Sequence, residues 1–364
     1  NKKLIKAARK DNGDIYGGGK GLAGDRYDYA FCANVKNTNV TINYDSSNAT
    51  PENYKNETGE GSGIYANDCI SGAVYGGGEN GHVIEDTHVT LNNGLVGHAI
   101  YGGGSGKGQY EQELFKIGST TEKHKVNIYS VTAGKVYGNT KVEMNGGYVV
   151  RNIFGGGNMG SVGKGNYASG TDDYYRDGYG ETLQNEGLWT PSSGFKPDEP
   201  IGGSNTPTTM ADYFLSSGKT EVIVTGGQVG YVDTSKPSDS MKDGLPYGNI
   251  FGGCRGESAP NIQESPRYLY SPEFFSGYVN ETNVKIGKTR EDFTGDNAAD
   301  EYAAYTGPKI FGSVYGGGQN GHVRRDTHVT INKGDIGLPF TDDNRTTFGR
   351  EEDTPLSEEL DNPQ

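Results

Sequence analysis

The chain has 364 residues, of which 60 are glycine and 14 are proline, and its formal net charge at pH 7 is -14. This excess of acidic residues argues against nonspecific binding to nucleic acid or to an anionic membrane, because both need a positive surface. Leu, Ile, Val and Phe make up only 65 residues, a content that on composition alone is typical of disordered chains.

The kind of apolar residue nevertheless indicates regular structure. Val and Ile together number 40 against 13 Leu, and β-branched side chains favour strands over helices. The longest apolar runs are only a few residues, far shorter than the stretch of about 18 that a membrane span needs. Three cysteines without CxxC spacing support neither a disulfide framework nor a cysteine zinc site. We therefore expect an all-β chain with no direct membrane span.

Two short motifs alternate along the chain. The first is an aliphatic residue, an aromatic residue and a glycine, and the seven copies that alternate with the second motif begin at Ile15, Val74, Ile100, Val136, Ile153, Ile250 and Val314. The second is Thr-x-Val-x-aliphatic, which begins at Thr38, Thr87, Thr140, Thr220, Thr282 and Thr327, with a degenerate seventh copy at residues 124–128. In the second motif apolar and polar residues alternate, which predicts a strand with one buried and one wet face.

A longer repeat contains both motifs. Residues 73–97 read AVYGGGENGHVIEDTHVTLNNGLVG and residues 313–337 read SVYGGGQNGHVRRDTHVTINKGDIG. A further apolar ladder follows the second motif across a glycine-containing corner, at Val96, Val149, Val229 and Ile336. Repeats of this kind bury their apolar faces by stacking. The sequence therefore predicts a parallel β-solenoid (β-helix) of about seven coils spaced by about 4.8 Å.

The unequal spacing of the motifs predicts long loop insertions in one solenoid domain that covers residues 1–364. The major insertion is placed at residues 158–219, with secondary ones at 254–280 and 287–308. The first residue is Asn and no signal-like stretch follows it, so we expect the chain to be part of a longer protein. The two ends of the stack need either a cap or neighbouring repeat modules.

The major insertion holds the candidate ligand-binding residues. Aromatic rings next to carboxylates and an arginine can stack on sugar rings and hydrogen-bond their hydroxyls, or recognise a protein. The alternative is that the same rings pin the insertion onto the solenoid. The candidates are Tyr167, Tyr174, Tyr175, Arg176, Tyr179 and Trp189, the last being the one Trp of the chain.

Two copies of a histidine and aspartate pattern are weak candidates for a metal site. Imidazole and carboxylate groups are common metal ligands, and here they recur because the module is duplicated. Each copy supplies three ligands without a closed or catalytic pattern, so we expect no metal and no cofactor. The residues are His82, Asp86 and His88, and His322, Asp326 and His328.

The alternating VYGGGxxGxV and TxVTIxxG modules resemble the glycine-rich repeats of large secreted or surface-anchored proteins of Bacteroidetes-type bacteria. More loosely, they are similar to adhesin-type β-solenoids. The resemblance covers most of the chain outside the insertions and brings no catalytic motif with it. It implies an extracellular or cell-surface location and an adhesive or scaffolding task.

The leading functional hypothesis is a noncatalytic extracellular repeat protein, an adhesin or surface scaffold, that presents loops to a glycan or protein partner. One alternative is a β-helix carbohydrate-active enzyme, a polysaccharide lyase or hydrolase, since such folds use paired acids. The adjacent acids in this sequence, such as Asp172 and Asp173, are better explained as solvated loop charge. A second alternative is a segment of a viral fibre or spike, which would stack in the same way within a trimer.

Overall fold

The structure, a computed structural model, describes residues 13–22, 33–44, 69–115, 121, 123–129, 133–163, 217–230, 248–256, 277–323 and 325–337. These residues form three parallel sheets of six strands each, together with a fourth, narrower ladder. Every coil passes the aromatic sheet, the valine ladder, the long-strand sheet and the short sheet in that order. The predicted all-β parallel solenoid is confirmed.

The first motif forms the aromatic sheet. Its aliphatic side chains point into the solenoid, and its rings stack on the other side with centroids 4.8–4.9 Å apart. That distance agrees with the expected spacing of the coils. Coils 1 to 6 begin, in order, with the strands Ile15–Tyr16, Val74–Tyr75, Ile100–Tyr101, Ile153–Phe154, Ile250–Phe251 and Val314–Tyr315.

The second motif forms the long-strand sheet. Its threonines and valines pair in register from coil to coil, so Val89 lies next to Val142 and Val142 next to Val222. The alternation thus gives one apolar face toward the core and one polar face outside. The strands are Thr38–Asn43, Thr87–Asn93, Thr140–Met144, Lys219–Val224, Glu281–Ile286 and Thr327–Ile331.

The predicted third ladder is the short sheet. Glycines with positive φ, such as Gly94 and Gly147, directly precede its strands and make the corner that other residues would resist. Besides Val96, Val149, Val229 and Ile336, the sheet contains Ile70 and Ile310. Its strands are Cys69–Ile70, Leu95–Val96, Tyr148–Val149, Gln228–Val229, Lys309–Ile310 and Asp335–Ile336.

The valine ladder lies between the aromatic and long-strand sheets and was not predicted. Single bridges join Val35, Val83, Val136 and Val162. The ladder continues into the paired strands Tyr278–Val279 and His322–Val323, because the Val162 amide donates to the Tyr278 carbonyl at 2.7 Å. Together these valines and Cys254 form a second apolar cluster beside the main core.

Among the described residues the stack has six coils rather than seven, because one copy of each motif lies elsewhere. Residues 124–128 belong to Lys123–Tyr129, which pairs antiparallel with Gln109–Phe115 in a hairpin inserted into coil 3. Val136 belongs to the valine ladder instead of the aromatic sheet. Coil 2 has no insertion, and coil 3 begins at Ile100, 26 residues after the start of coil 2 at Val74.

Two of the predicted insertions are flanked by described coil residues. The coils run through Gly163 and resume at Ser217, and run through Gly256 and resume at Gly277. The segment 287–308 contains a 3-10 turn, Arg290–Asp292, and a helix, Ala298–Ala304. Tyr305 anchors it, because its hydroxyl donates to the Thr225 carbonyl at 2.5 Å. That residues 1–364 form a single domain stays a prediction.

Candidate binding surface

The outer side of the long-strand sheet carries a polar track that we name the charged face. It consists of His88, Lys141, Glu143, Glu221, Asn283 and Lys285. Period-2 alternation places these side chains opposite the buried valines, as the sequence predicted. Parallel in-register pairing then brings residues from coils 2 to 5 side by side, although they are far apart in sequence.

Two carboxylates organise the charged face. Glu143 binds Lys141 (Nζ to Oε1, 2.6 Å) and His88 (Nε2 to Oε2, 2.6 Å). Glu221 accepts hydrogen bonds from Lys285 Nζ at 3.1 Å and from Asn283 Nδ2 at 3.2 Å. Lys141 Nζ also lies 4.0 Å from Glu221, so the two groups form one continuous network.

The network leaves these side chains partly exposed and accessible to a ligand. Partial burial alone would raise the pKa of Glu143, but hydrogen bonds from Lys141 and His88 prevail and lower that pKa. Each such surface pair contributes less than about 1 kcal/mol to stability. Acidic and basic groups alternate, so the face offers many hydrogen-bond donors and acceptors with little net field.

The structure does not bring His82, Asp86 and His88 together. His82 is buried, and its Nδ1 lies 3.3 Å from the Tyr137 hydroxyl. Asp86 Oδ1 accepts the Asn139 amide at 2.7 Å, while His88 binds Glu143.

The second copy of this pattern lies in coil 6. The ring of His322 stacks on Tyr278 at 4.6 Å, and Asp326 and His328 lie exposed further along the coil. Among the described residues no group of three or more His, Cys, Asp or Glu side chains could hold a metal ion.

The aromatic candidates lie outside the described residues, so their role as a platform stays a prediction. These are Tyr167, Tyr174, Tyr175, Arg176, Tyr179 and Trp189. The two attachment points of their segment are well defined: the Gly163 amide donates to the Val136 carbonyl at 2.7 Å, and Ser217 Oγ donates to the Tyr137 carbonyl at 2.6 Å. The segment therefore leaves and rejoins coil 4 directly before the charged face.

Insertions recur at one corner in every second coil. Between the aromatic sheet and the valine ladder, coils 1, 3 and 5 include residues 23–32, 107–132 and 257–276. Coils 2, 4 and 6 cross the same corner in seven residues, 76–82, 155–161 and 316–322.

Sequence reasoning missed two features that build this surface. The valine ladder has a signal, since Val83 and Val136 each lie four residues before the threonine that begins a long strand. The second feature is a threonine ladder, in which each hydroxyl donates to a glycine carbonyl of the next coil at 2.6 Å. Its donors are Thr38, Thr87, Thr140, Thr220 and Thr282.

Comparisons with protein-family models, with curated proteins and with solved structures find no match. The class of protein is therefore defined by the fold alone: a parallel β-solenoid with long insertions. Within its described part, no helix is long and apolar enough to cross a membrane.

Proposed function

We propose that this chain is a noncatalytic extracellular scaffold or adhesin that binds a glycan or protein partner on one side of the solenoid. One observation carries the proposal: the insertions of coils 1, 3, 4 and 5 all leave beside the valine ladder, next to the charged face. Loops held by a rigid framework are a common place for binding sites. The insertions and the charged face together would form one long surface.

The charged face is suited to a partner whose surface is polar but carries little net charge. Lys141 and Lys285 alternate with Glu143 and Glu221, so attraction to a strongly charged polymer is weak while hydrogen bonding is abundant. Hydroxyl-rich sugars and polar protein surfaces both suit such a track. Weak contacts repeated over several coils add up through multivalency.

The extracellular location and the Bacteroidetes-type origin rest on the resemblance of the repeats. The predicted ring platform around Trp189 would provide stacking surfaces close to the charged face, since its segment is attached through Gly163 and Ser217. Stacking and hydrogen bonding together are the usual means of holding a sugar ring or anchoring a protein loop.

A panel of polysaccharides and host-surface glycoproteins, titrated calorimetrically, tests this proposal. For a ligand found in the panel, the double variant Lys141→Gln/Glu221→Gln and the variant Trp189→Ala should each weaken binding about tenfold or more, about 1.4 kcal/mol. Lys309→Gln is the matched control, because Lys309 is exposed on the short sheet and away from the charged face. Equal affinity for all variants would contradict the proposed surface.

The same panel separates binding from catalysis. New reducing ends or unsaturated products that disappear on replacing a single carboxylate would show a carbohydrate-active enzyme instead of a scaffold. Unchanged polysaccharide after prolonged incubation, with binding retained, is the result that we expect.

A further inference from the structure

We propose that the face of coil 6 binds coil 1 of a second copy of this chain, head to tail, so that the solenoid continues across the junction. This assembly does not depend on the partner proposed above. The two copies of the duplicated module differ in what covers them. Residues 73–97 of coil 2 are covered by coil 3, whereas no coil follows residues 313–337 in the described part of the chain.

Coil 6 has apolar residues at the same positions as coil 2, which buries them between coils 1 and 3. Leu91 is 0% exposed and its counterpart Ile331 is 54% exposed, while Tyr75 is 5% and Tyr315 is 42% exposed. Exposed apolar side chains gathered at one end of a stack are typical of an interaction surface.

Gly317 points to a further coil more specifically. At the equivalent glycines 18, 77, 103, 156 and 253, an added Cβ would lie 2.6–3.1 Å from a backbone nitrogen of the next coil. At Gly317 an added Cβ meets nothing within 4 Å, and its φ is not positive. Close approach of the next coil accounts for glycine at the other five positions, and a following coil would account for it at Gly317.

The two ends of the solenoid have complementary hydrogen-bonding groups. Thr282 donates to the Gly316 carbonyl and the Gly252 amide to the Tyr315 carbonyl. In coil 6 the corresponding donors, Thr327 Oγ1 and the Gly316 amide, have no acceptor among the described residues. Coil 1 has the matching acceptors, the carbonyls of Gly17 and Tyr16, on its outer edge.

A side-chain pair and a ring stack would also continue across the junction. Asp86 accepts the Asn139 amide of the next coil; in register, Asp326 would accept the Asn37 amide of the second copy. Tyr315 ends the column of stacked rings that Tyr16 begins. Coil 1 thus supplies all four ladders in the order that coil 6 requires.

Electrostatics makes the junction sensitive to salt. Both copies carry a formal net charge of -14, and Arg325 of coil 6 would approach Lys36 of coil 1. Salt screens exposed like charges, so added salt should strengthen the association. Because the contact joins different surfaces on the two copies and continues the stack along its own axis, it produces open filaments of increasing length.

Sedimentation velocity of the full chain over a wide concentration range tests the proposal. We expect the average mass to rise with concentration and with salt. Gly317→Val should abolish this growth without lowering the thermal midpoint, because no described atom lies within 4 Å of a Cβ added at Gly317. Ala303→Val, an exposed change on the helix, should assemble like the original chain.

A second variant tests the polarity of the contact. Ile15→Asp alters the exposed edge of coil 1 and should also stop growth. A mixture of Gly317→Val and Ile15→Asp should form dimers and nothing larger, since one intact coil 1 and one intact coil 6 remain. A monomer at every concentration, a closed dimer or trimer, a mixture that does not pair, or growth of Gly317→Val equal to the original would overturn the proposal.

Discussion

Val89 and Val329 occupy the same position in two nearly identical modules, yet Val89 is 0% exposed beneath coil 3 and Val329 is 43% exposed at the end of the described stack. Local sequence is nearly constant between them, so the difference arises from the stacking of coils. Truncating both side chains separates the contribution of stacking from that of the strand itself.

Val89→Ala should lower the free energy of unfolding by about 2 kcal/mol, because it removes two fully buried methyl groups and leaves a cavity. Val329→Ala should lower it by less than about 1 kcal/mol. Denaturant unfolding of dilute protein measures both. Equal losses would mean that coil 3 does not cover coil 2.

Gly103 and Gly317 give a matched pair for backbone spacing. An added Cβ at Gly103 would lie 2.7 Å from the Gly157 nitrogen of the next coil, and the coils cannot separate without breaking their ladders. Gly103→Ala should therefore destabilise the protein by about 3 kcal/mol or more, whereas Gly317→Ala should change the stability of a single molecule by less than about 0.5 kcal/mol. Thermal unfolding of both variants, in dilute protein, measures the two changes in stability. Equal changes would contradict the close approach of the next coil at Gly103.

His98 should make stability fall in mild acid. Burial, reinforced by the positive charges of Arg151, Arg255 and Lys107, lowers the pKa of His98 from 6.5 to about 3. The unfolded chain therefore takes up a proton below pH 6.5 that the folded chain refuses. Stability is lost as the pH falls from 6.5 toward 3, by at most about 1.4 kcal/mol per pH unit.

Unfolding midpoints between pH 7 and pH 5 measure the effect of His98, with His98→Gln as the comparison. The variant should show a flatter dependence because it cannot titrate. If both proteins show the same slope, His98 is protonated in the folded state and the inferred burial is incorrect.

Cys254 should be unreactive in the folded protein. Burial raises the pKa of its thiol to about 12, and the sulfur packs among the valines near the Gly160 carbonyl. Only the thiolate is nucleophilic. In a Cys32→Ser/Cys69→Ser background, a thiol reagent at pH 8 should label Cys254 only at the rate of unfolding; rapid labelling of the native protein would place the thiol at the surface.

Much of the fold follows from the sequence because a period-2 pattern repeated around glycine corners has few other solutions. The six long strands and their buried valines could be placed from Thr-x-Val alone. Alternation does not distinguish a coil from a hairpin, however, so residues 124–128 were assigned to the stack. Val136 has the aromatic-sheet motif but also lies four residues before Thr140, the spacing of the valine ladder.

The candidate surface was harder to predict than the fold. The alternation predicts a polar outer side for each long strand, but which carboxylate binds which lysine depends on which coils are neighbours. Lys141 and Glu221 become neighbours because the strands Thr140–Met144 and Lys219–Val224 pair in parallel, a pairing that no local pattern contains. The stacking order of the coils therefore determines the chemistry of the surface.

The six described coils stack in register with a constant rise. Spin labels on cysteines introduced at outward positions test it directly in the Cys32→Ser/Cys69→Ser background, with protein dilute enough to be monomeric. With about 4.8 Å per coil, the pair Asn39 and His328 should lie about 24 Å apart and the pair His88 and His328 about 19 Å apart. Two narrow distance distributions separated by about one coil are the predicted result. Broad distributions, or equal distances for the two pairs, would contradict stacking of the coils in register.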